Sequence, residues 1–194
     1  MSYFGELSGV ISLLAFIFYF TSIITKKTIP SRVTWMSLSI IGLLILLSSY
    51  SAGHTSTIWF QLSYLVGPFL IFLLSIKYGE GGFSRVDLLC LSTSFISICL
   101  WLITDLPVVA LVLNILADFF AIFPTIHKSY LKPDTESALP WIITCIASLL
   151  ALLSVENWIF IEYLYPIYMV FFNTLIALII VRKKLGSYLI KVLV

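Results

Sequence analysis

The chain has 194 residues, of which 61% are hydrophobic and only 10% are charged. Because soluble domains carry about 25% charged residues, this composition excludes an ordinary water-soluble fold and indicates an integral membrane protein. The formal net charge of +2 says little, so the positions of the charges matter more than their sum.

Seven apolar runs follow one another along the chain, at 7–25, 33–52, 57–76, 86–103, 107–127, 139–155 and 158–181. A helix that crosses a bilayer needs about 20 predominantly apolar residues, whereas barrel strands are about half as long and alternate polar with apolar residues. The loops between the runs are short, so neighbouring helices run antiparallel. The sequence therefore predicts an all-α integral membrane fold with seven transmembrane helices.

The basic residues all fall on one side of this predicted membrane. Eleven Lys and Arg residues occupy the segments after the first, third, fifth and seventh runs, and the segments on the other side have none. Loops rich in Lys and Arg stay in the cytoplasm. We therefore expect the N-terminus outside, the C-terminus in the cytoplasm, and a multi-pass protein of the cell (plasma or inner) membrane. The five tryptophans fall near the ends of runs, where we interpret them as interfacial anchors.

The two halves of the chain repeat a pattern. Segment 20–35, FTSIITKKTIPSRVTW, parallels segment 123–141, FPTIHKSYLKPDTESALPW, and YLVGPFLIF at 64–72 is echoed by YLYPIYMVF at 163–171. The repeat predicts two sets of three helices with a single helix between them. That single helix returns the chain to the side of the membrane on which the first set began, so both sets have the same orientation, as in carriers built from parallel repeats. The expected units are a first three-helix bundle (1–80), a linker helix (81–105), a second three-helix bundle (106–182) and a cytoplasmic tail (183–194).

A short motif begins at the end of the fifth run with Pro124 and Thr125, and it continues after the run with Lys128, Thr135 and Glu136. Together with the 3+1+3 order of helices, it resembles the SWEET and PQ-loop membrane transporters, in which a Pro-Gln pair precedes a basic stretch and a Ser-Thr-Glu-Gly-like turn. Thr125 stands where the superfamily has glutamine. The resemblance implies alternating access, with Pro124 as a hinge and Asn173 near the place of the pocket asparagine. Because Pro124 removes a backbone donor from its helix, a static kink is the alternative to a hinge.

Polar residues near the bilayer midplane mark a candidate site. Asp118 lies ten residues before Lys128, hence about 15 Å from the inner boundary at 1.5 Å per residue. A carboxylate there costs about 2.5–3.5 kcal/mol on insertion scales. Asn114 shares its helix face, and Asn173 lies at nearly the same depth.

We expect Asp118, Asn173 and Asn114 to bind a small polar solute. Asp118 is also the candidate for proton coupling, because burial favours the neutral form of a carboxyl group. A structural aspartate bonded to neighbouring hydroxyls is the alternative. We interpret Glu162 and Tyr168, in the outer half of the seventh run, as interfacial.

Other classes of function lack their residues here. No lysine lies within a predicted span, which argues against a retinal Schiff base. Asp118 stands alone at its depth, which argues against an intramembrane aspartyl protease, and no Gly-rich phosphate loop or metal-ligand cluster occurs. We therefore expect no enzymatic activity, no cofactor or metal, and no nucleic-acid partner.

The leading hypothesis is a SWEET-like carrier that moves a small polar solute, such as a sugar, an amino acid or a vitamin, by alternating access. Transport is either facilitated or proton-coupled through Asp118. The alternative is a seven-helix receptor or sorting protein of the same fold that binds a ligand without transporting it, and a structural subunit of a larger membrane complex is a third. The sequence leaves open the identity of the solute and whether the chain forms homo-oligomers.

Overall fold

The structure is a computed structural model that describes residues 3–51, 53, 56–81, 85–104 and 106–193. Within these residues the chain is helical and forms no strand beyond an isolated bridge between Ser31 and Glu80. The α-helices are α1 (Tyr3–Ile24), α2 (Arg32–Ser51), α3 (Ile58–Tyr78), α4 (Arg85–Thr104), α5 (Pro107–Leu131), α6 (Ala138–Leu153) and α7 (Phe160–Leu193). A short 3-10 helix, Pro133–Thr135, lies between α5 and α6.

Five stretches of helix in the described residues are long and apolar enough to cross a membrane. They are α1, α2, α3, Leu111–Leu131 of α5 and Phe160–Arg182 of α7. Helix α6 is apolar but shorter, at 16 residues. Large apolar side chains cover the outer surface of these helices, which suits lipid tails and not water. The all-helical class is confirmed, and the helices indicate a multi-pass membrane protein.

Each apolar run of the sequence coincides with one α-helix of the structure. The start and end of each helix lie within four residues of the predicted ones, except at the end of α7, which continues as a helix to Leu193. The sequence analysis placed a separate tail from residue 183. The segment after Arg182 contains Lys and Leu, which are good helix formers, and its single glycine does not end the helix.

The helices associate in two similar sets. Helix α3 packs against both α1 and α2, and α7 packs against both α5 and α6. The two sets meet where α1 contacts α6 and where α2 contacts α5, while α4 lies against α5 and α2. We call α1–α3 the first triplet and α5–α7 the second triplet. The surface between the triplets is where a site shared by both halves can form.

A glycine sets the distance between two helices of the first triplet. A Cβ atom added at Gly42 on α2 would collide with the backbone carbonyl oxygen of Tyr64 on α3. Small residues allow this close approach of helices in a membrane. The contact fixes the position of Tyr64, whose side chain reaches the surface between the triplets.

Candidate solute-binding site

A buried cavity of about 30 Å³ lies between the two triplets. Six of the side chains that line it are aromatic: Phe16, Tyr19, Trp35, Tyr64, Trp141 and Phe172. The polar lining residues besides the tyrosines and tryptophans are Asp118, Thr144 and Asn173. A volume above about 10–15 Å³ holds a water molecule, whereas pockets for small organic molecules measure about 300–1,000 Å³. The cavity therefore has room for a few waters, and a solute enters only if the triplets move apart.

The wall of the cavity follows the internal repeat of the sequence. Aligning Phe20 with Phe123, and Trp35 with Trp141, makes eight of the lining residues fall into four equivalent pairs: Ala15 with Asp118, Tyr19 with Ile122, Trp35 with Trp141, and Leu38 with Thr144. The two triplets thus share four positions of the wall, and the remaining lining residues have no equivalent lining residue in the other triplet. At two of the four pairs the second triplet supplies a polar residue where the first has an apolar one.

Asp118 on α5 is buried, with 5% of its surface exposed. The hydroxyl of Tyr168 on α7 donates a hydrogen bond of 2.6 Å to its Oδ2 atom. Among the described residues this is the one hydrogen bond to the carboxylate, and no basic side chain pairs with it. Tyr64 and Tyr165 also lie near the carboxylate. The second oxygen of the Asp118 carboxylate is therefore able to accept a hydrogen bond from a molecule in the cavity.

Asn173 on α7 lines the same cavity. Its Nδ2 donates to the carbonyl oxygen of Met169 at 2.7 Å, and its Oδ1 is buried without a hydrogen bond in the described part of the chain. Leaving a buried acceptor unsatisfied costs about 1–3 kcal/mol. The structure thus brings Asp118 and Asn173 to one wall, and an occupant that carries a hydrogen-bond donor would satisfy both. Their role in binding stays a prediction.

Asn114 lies one turn before Asp118 on α5 but does not line the cavity. It is fully buried, and its Nδ2 lies 3.4 Å from the hydroxyl of Ser48 on α2, at the long end of hydrogen-bond range. Thr125 makes a similar contact of 3.3 Å with Thr34. These residues join α5 to α2 across the two triplets, and solute binding by Asn114 stays a prediction.

A cluster around Glu136 closes one end of the surface between the triplets. The Tyr19 hydroxyl lies 3.1 and 3.2 Å from the two carboxylate oxygens of Glu136, and Lys128 Nζ lies 2.6 Å from Oε1. Lys128 also donates to the carbonyl oxygen of Ile29. We call these four residues the Glu136 clasp, because Tyr19 and Ile29 belong to the first half and Lys128 and Glu136 to the second.

The charges of the Glu136 clasp are buried. The side chain of Glu136 is 0% exposed and that of Lys128 is 11% exposed. Burial raises the pKa of Glu136 above its ordinary value, and the neighbouring Lys128 ammonium opposes this rise. The carboxylate therefore depends on Lys128 for its charged form, and separation of the two groups would leave each charge without compensation.

The opposite end is closed by a second cluster, the Glu162 clasp, formed by Ser56, Ser154, Asn157 and Glu162. The hydroxyl of Ser56 and the backbone N–H of Asn157 donate to Oε2 of Glu162, at 3.2 and 3.4 Å. The hydroxyl of Ser154 donates to the carbonyl oxygen of Ser56 at 3.2 Å. These bonds join the α2–α3 loop to the α6–α7 connection. The two clasps thus lie at opposite ends of the surface between the triplets, and Glu162, which was predicted to be interfacial, is part of a buried contact.

Trp35 and Trp141 are not interfacial anchors, contrary to the sequence analysis. They are 3% and 6% exposed, and their ring centroids lie 6.5 Å apart in the cavity wall. The exposed Trp59 and Trp158 fit the expectation, and the side chain of Trp101 lies outside those described. The sequence contained an indication of this burial, because the two buried tryptophans are the ones that occupy equivalent places in the repeat.

Two further site residues were missed by sequence reasoning. Glu136 was considered only as part of the motif that begins at Pro124, and Tyr168 as an interfacial residue. The structure places Glu136 at the centre of its clasp and Tyr168 on Asp118. Tyr168 lies five residues before Asn173, and that spacing alone could not show that its hydroxyl points at another helix.

Comparisons with protein-family models, with curated proteins and with solved structures find no match. The function is therefore proposed from the geometry of the cavity and of its two closures.

Proposed function

We propose that the protein is a small carrier, similar to the SWEET and PQ-loop transporters, that moves a small polar solute across the membrane by alternating access. The observation that carries the proposal is the buried cavity between two equivalent helix triplets, with Asp118 and Asn173 in its wall. Transporters built from repeats hold their substrate near the bilayer midplane, where the repeats meet.

The proposal includes seven membrane-spanning helices in a 3+1+3 order, with α4 as the linker. Its support is the matched association of helices, since α3 and α7 each pack against both partners in their own triplet. The four equivalent pairs in the cavity wall add to it. In the proposed orientation the segments rich in Lys and Arg face the cytoplasm, so the Glu136 clasp lies at the cytoplasmic end.

The two clasps are the proposed gates. Each one joins the first half of the chain to the second, so the triplets can rock apart at one end only if that clasp breaks. Helix α5 is continuous through Pro124, which lies one turn before Lys128. A proline in a helix lacks the N–H that would bond to the preceding turn. Bending at Pro124 would move Lys128 relative to Asp118 and so link the cytoplasmic gate to the site.

The cavity chemistry suits a solute that donates hydrogen bonds. The second oxygen of Asp118 and the Oδ1 atom of Asn173 are acceptors without a donor among the described residues. Asp118 is also the residue proposed to carry a proton if transport is coupled, since no cation of the described chain compensates its charge. Proton coupling then requires the carboxylate to meet water from each side in turn.

Accessibility of the cavity from the two sides tests the proposal. In a variant with its three native cysteines replaced, Thr144→Cys places a single thiol in the wall, and the protein is reconstituted in liposomes. A membrane-impermeant thiol reagent should label this cysteine from either side, because the gates open alternately. Labelling from one side only would favour the receptor that binds without transport. A thiol protected from both sides, in a protein that remains folded, would contradict the carrier.

A further inference from the structure

The cavity carries a single charge, and that charge is negative. Asp118 is the one charged residue among the fifteen that line it, and Lys, Arg and His are absent from the wall. The nearest cation along α5, Lys128, is bound to Glu136 and to the Ile29 carbonyl. A carboxylate removed from water is stable only with a proton or a positive partner. Among the described residues, no other side chain gives Asp118 a positive partner or transfers a proton to it.

Both acceptors and donors without a partner lie in the wall around Asp118, among the described residues. Asn173 Oδ1 has no donor in the described part of the chain. Thr144 uses its hydroxyl proton in a 2.9 Å bond to the carbonyl oxygen of Pro140, so the lone pairs of its oxygen are what it can offer to a solute. The hydroxyl of Tyr168 likewise donates its proton in the hydrogen bond to Asp118. The indole N–H groups of both wall tryptophans carry no hydrogen bond in the described residues, so the wall can also donate, and the charge and the rings are what distinguish one class of solute from another.

Aromatic rings make up half of the remaining wall. The Phe16 ring lies 5.3 Å from that of Tyr64 and 6.3 Å from that of Trp35, in edge-to-face geometry. The Tyr19 ring lies 4.7 Å from that of Trp35. Rings of this kind attract a cation held over their faces, and tryptophan does so most strongly. A sugar could stack on the same rings, but it would leave the charge of Asp118 without compensation.

From the single negative charge and the aromatic rings around it we infer that the solute is a small organic cation, a primary or methylated ammonium compound, whose positive group pairs with Asp118 inside the aromatic wall. This inference rests on the proposed carrier function. A proton and the cation would then compete for one carboxylate. The titratable groups that face Asp118 are the hydroxyls of Tyr64 on α3 and of Tyr165 and Tyr168 on α7, and on α1 Tyr19 lines the cavity while bonding to Glu136.

Binding of choline and of its uncharged analogue 3,3-dimethylbutan-1-ol to the purified protein tests this inference. The two molecules have nearly the same shape and differ in the positive charge. We expect choline or methylammonium to raise the unfolding temperature and the uncharged analogue to bind at least about tenfold more weakly. Affinity for choline should fall as the pH is lowered, because protons then occupy Asp118. Equal binding of the two molecules would overturn the inference, and this wild-type comparison depends on no variant.

Two pairs of variants locate the binding. Asp118→Asn should abolish choline binding, while Glu6→Gln, an exposed acid on α1, should leave it unchanged. Trp35→Leu should weaken it by about tenfold, whereas the exposed Trp158→Leu should not. Circular dichroism and gel filtration establish that each variant is folded.

Binding of glucose without binding of any cation would refute the solute class and leave the proposed carrier function unaffected. Failure of the Thr144→Cys accessibility test would refute the carrier itself.

Discussion

The hydroxyl of Tyr168 on α7 donates a 2.6 Å hydrogen bond to the carboxylate of Asp118 on α5, inside the second triplet. This bond fixes which way the one charged group of the cavity points. It also connects the site to α7, the helix that contributes Asn173 and Phe172 to the same wall. The orientation of the carboxylate is therefore set within one triplet, while its occupant contacts both.

Tyr168→Phe should destabilise the protein. The variant removes the one described donor to the Asp118 carboxylate, and an unsatisfied buried acceptor costs about 1–3 kcal/mol of unfolding free energy. Thermal unfolding in detergent at neutral pH measures the loss. Tyr163→Phe is the matched control, because Tyr163 is only partly buried and packs its ring on Trp158. Equal stability of Tyr168→Phe and wild type would show that the bond does not hold the carboxylate.

Lys128→Met should both destabilise the protein and open the gate proposed at the Glu136 clasp. Removing the cation of a buried ion pair costs about 3–5 kcal/mol at neutral pH, because the Glu136 carboxylate is left without compensation. The double variant Glu136→Gln with Lys128→Met should recover part of that loss. Thermal unfolding measures the stability of each variant, and the labelling rate of Thr144→Cys from the cytoplasmic side measures how readily the gate opens.

The exposed Lys132→Met serves as the control for these two changes. An additive double variant would show that Lys128 and Glu136 are not coupled. A gate that labels no faster in Lys128→Met would remove the clasp from the transport cycle while leaving the ion pair as a structural element.

The stability of the wild type should fall as the pH rises just above the ordinary pKa of a glutamate. Burial raises the pKa of Glu136 in the folded protein above its usual value of 4.5. In that interval the folded protein keeps a proton that the unfolded chain has lost, so stability decreases with pH. The contribution is complete below the ordinary pKa and is lost as the pH passes the raised one. Subtracting the Glu136→Gln profile isolates this group, and Glu6→Gln should leave the slope unchanged.

Pro124→Ala should slow the movement between the two access states without destabilising the protein. Alanine restores the backbone N–H and is the best helix former, so the helix stiffens where bending is proposed. The measurement is the rate at which Thr144→Cys becomes labelled from each side. Pro68→Ala, a change at the proline inside α3, is the comparison. If both variants label at the wild-type rate, Pro124 is a static feature of α5.

The sequence was sufficient for the helices and for placing Asp118 and Asn173 at the same level along α5 and α7. Runs of apolar residues define helices in a membrane because the backbone must satisfy its own hydrogen bonds there. A rise of 1.5 Å per residue then converts position along α5 and α7 into depth. That is why Asp118 and Asn173 could be placed at one level, and the structure puts both on the wall of a single cavity.

What sequence reasoning could not supply was how the two triplets meet. Trp35 and Trp141 have the residue type and the position along the chain that are typical of interfacial anchors. They are buried because α1 packs against α6 and α2 packs against α5. The same contact brings Tyr19 to Glu136 across 117 residues of sequence. A periodicity within one helix describes which residues share a face, but the neighbour of that face is decided by the whole fold.

The pairing of Ala15 with Asp118 sets how much charge the cavity can hold. Had both equivalent positions carried aspartate, as they would in a symmetric pair of identical half-length chains, two carboxylates would share a small dry space and one of them would stay protonated. The two equivalent positions differ instead, with an acid at Asp118 and a methyl group at Ala15. This asymmetry leaves one carboxylate in the wall, which compensates one elementary positive charge at a time.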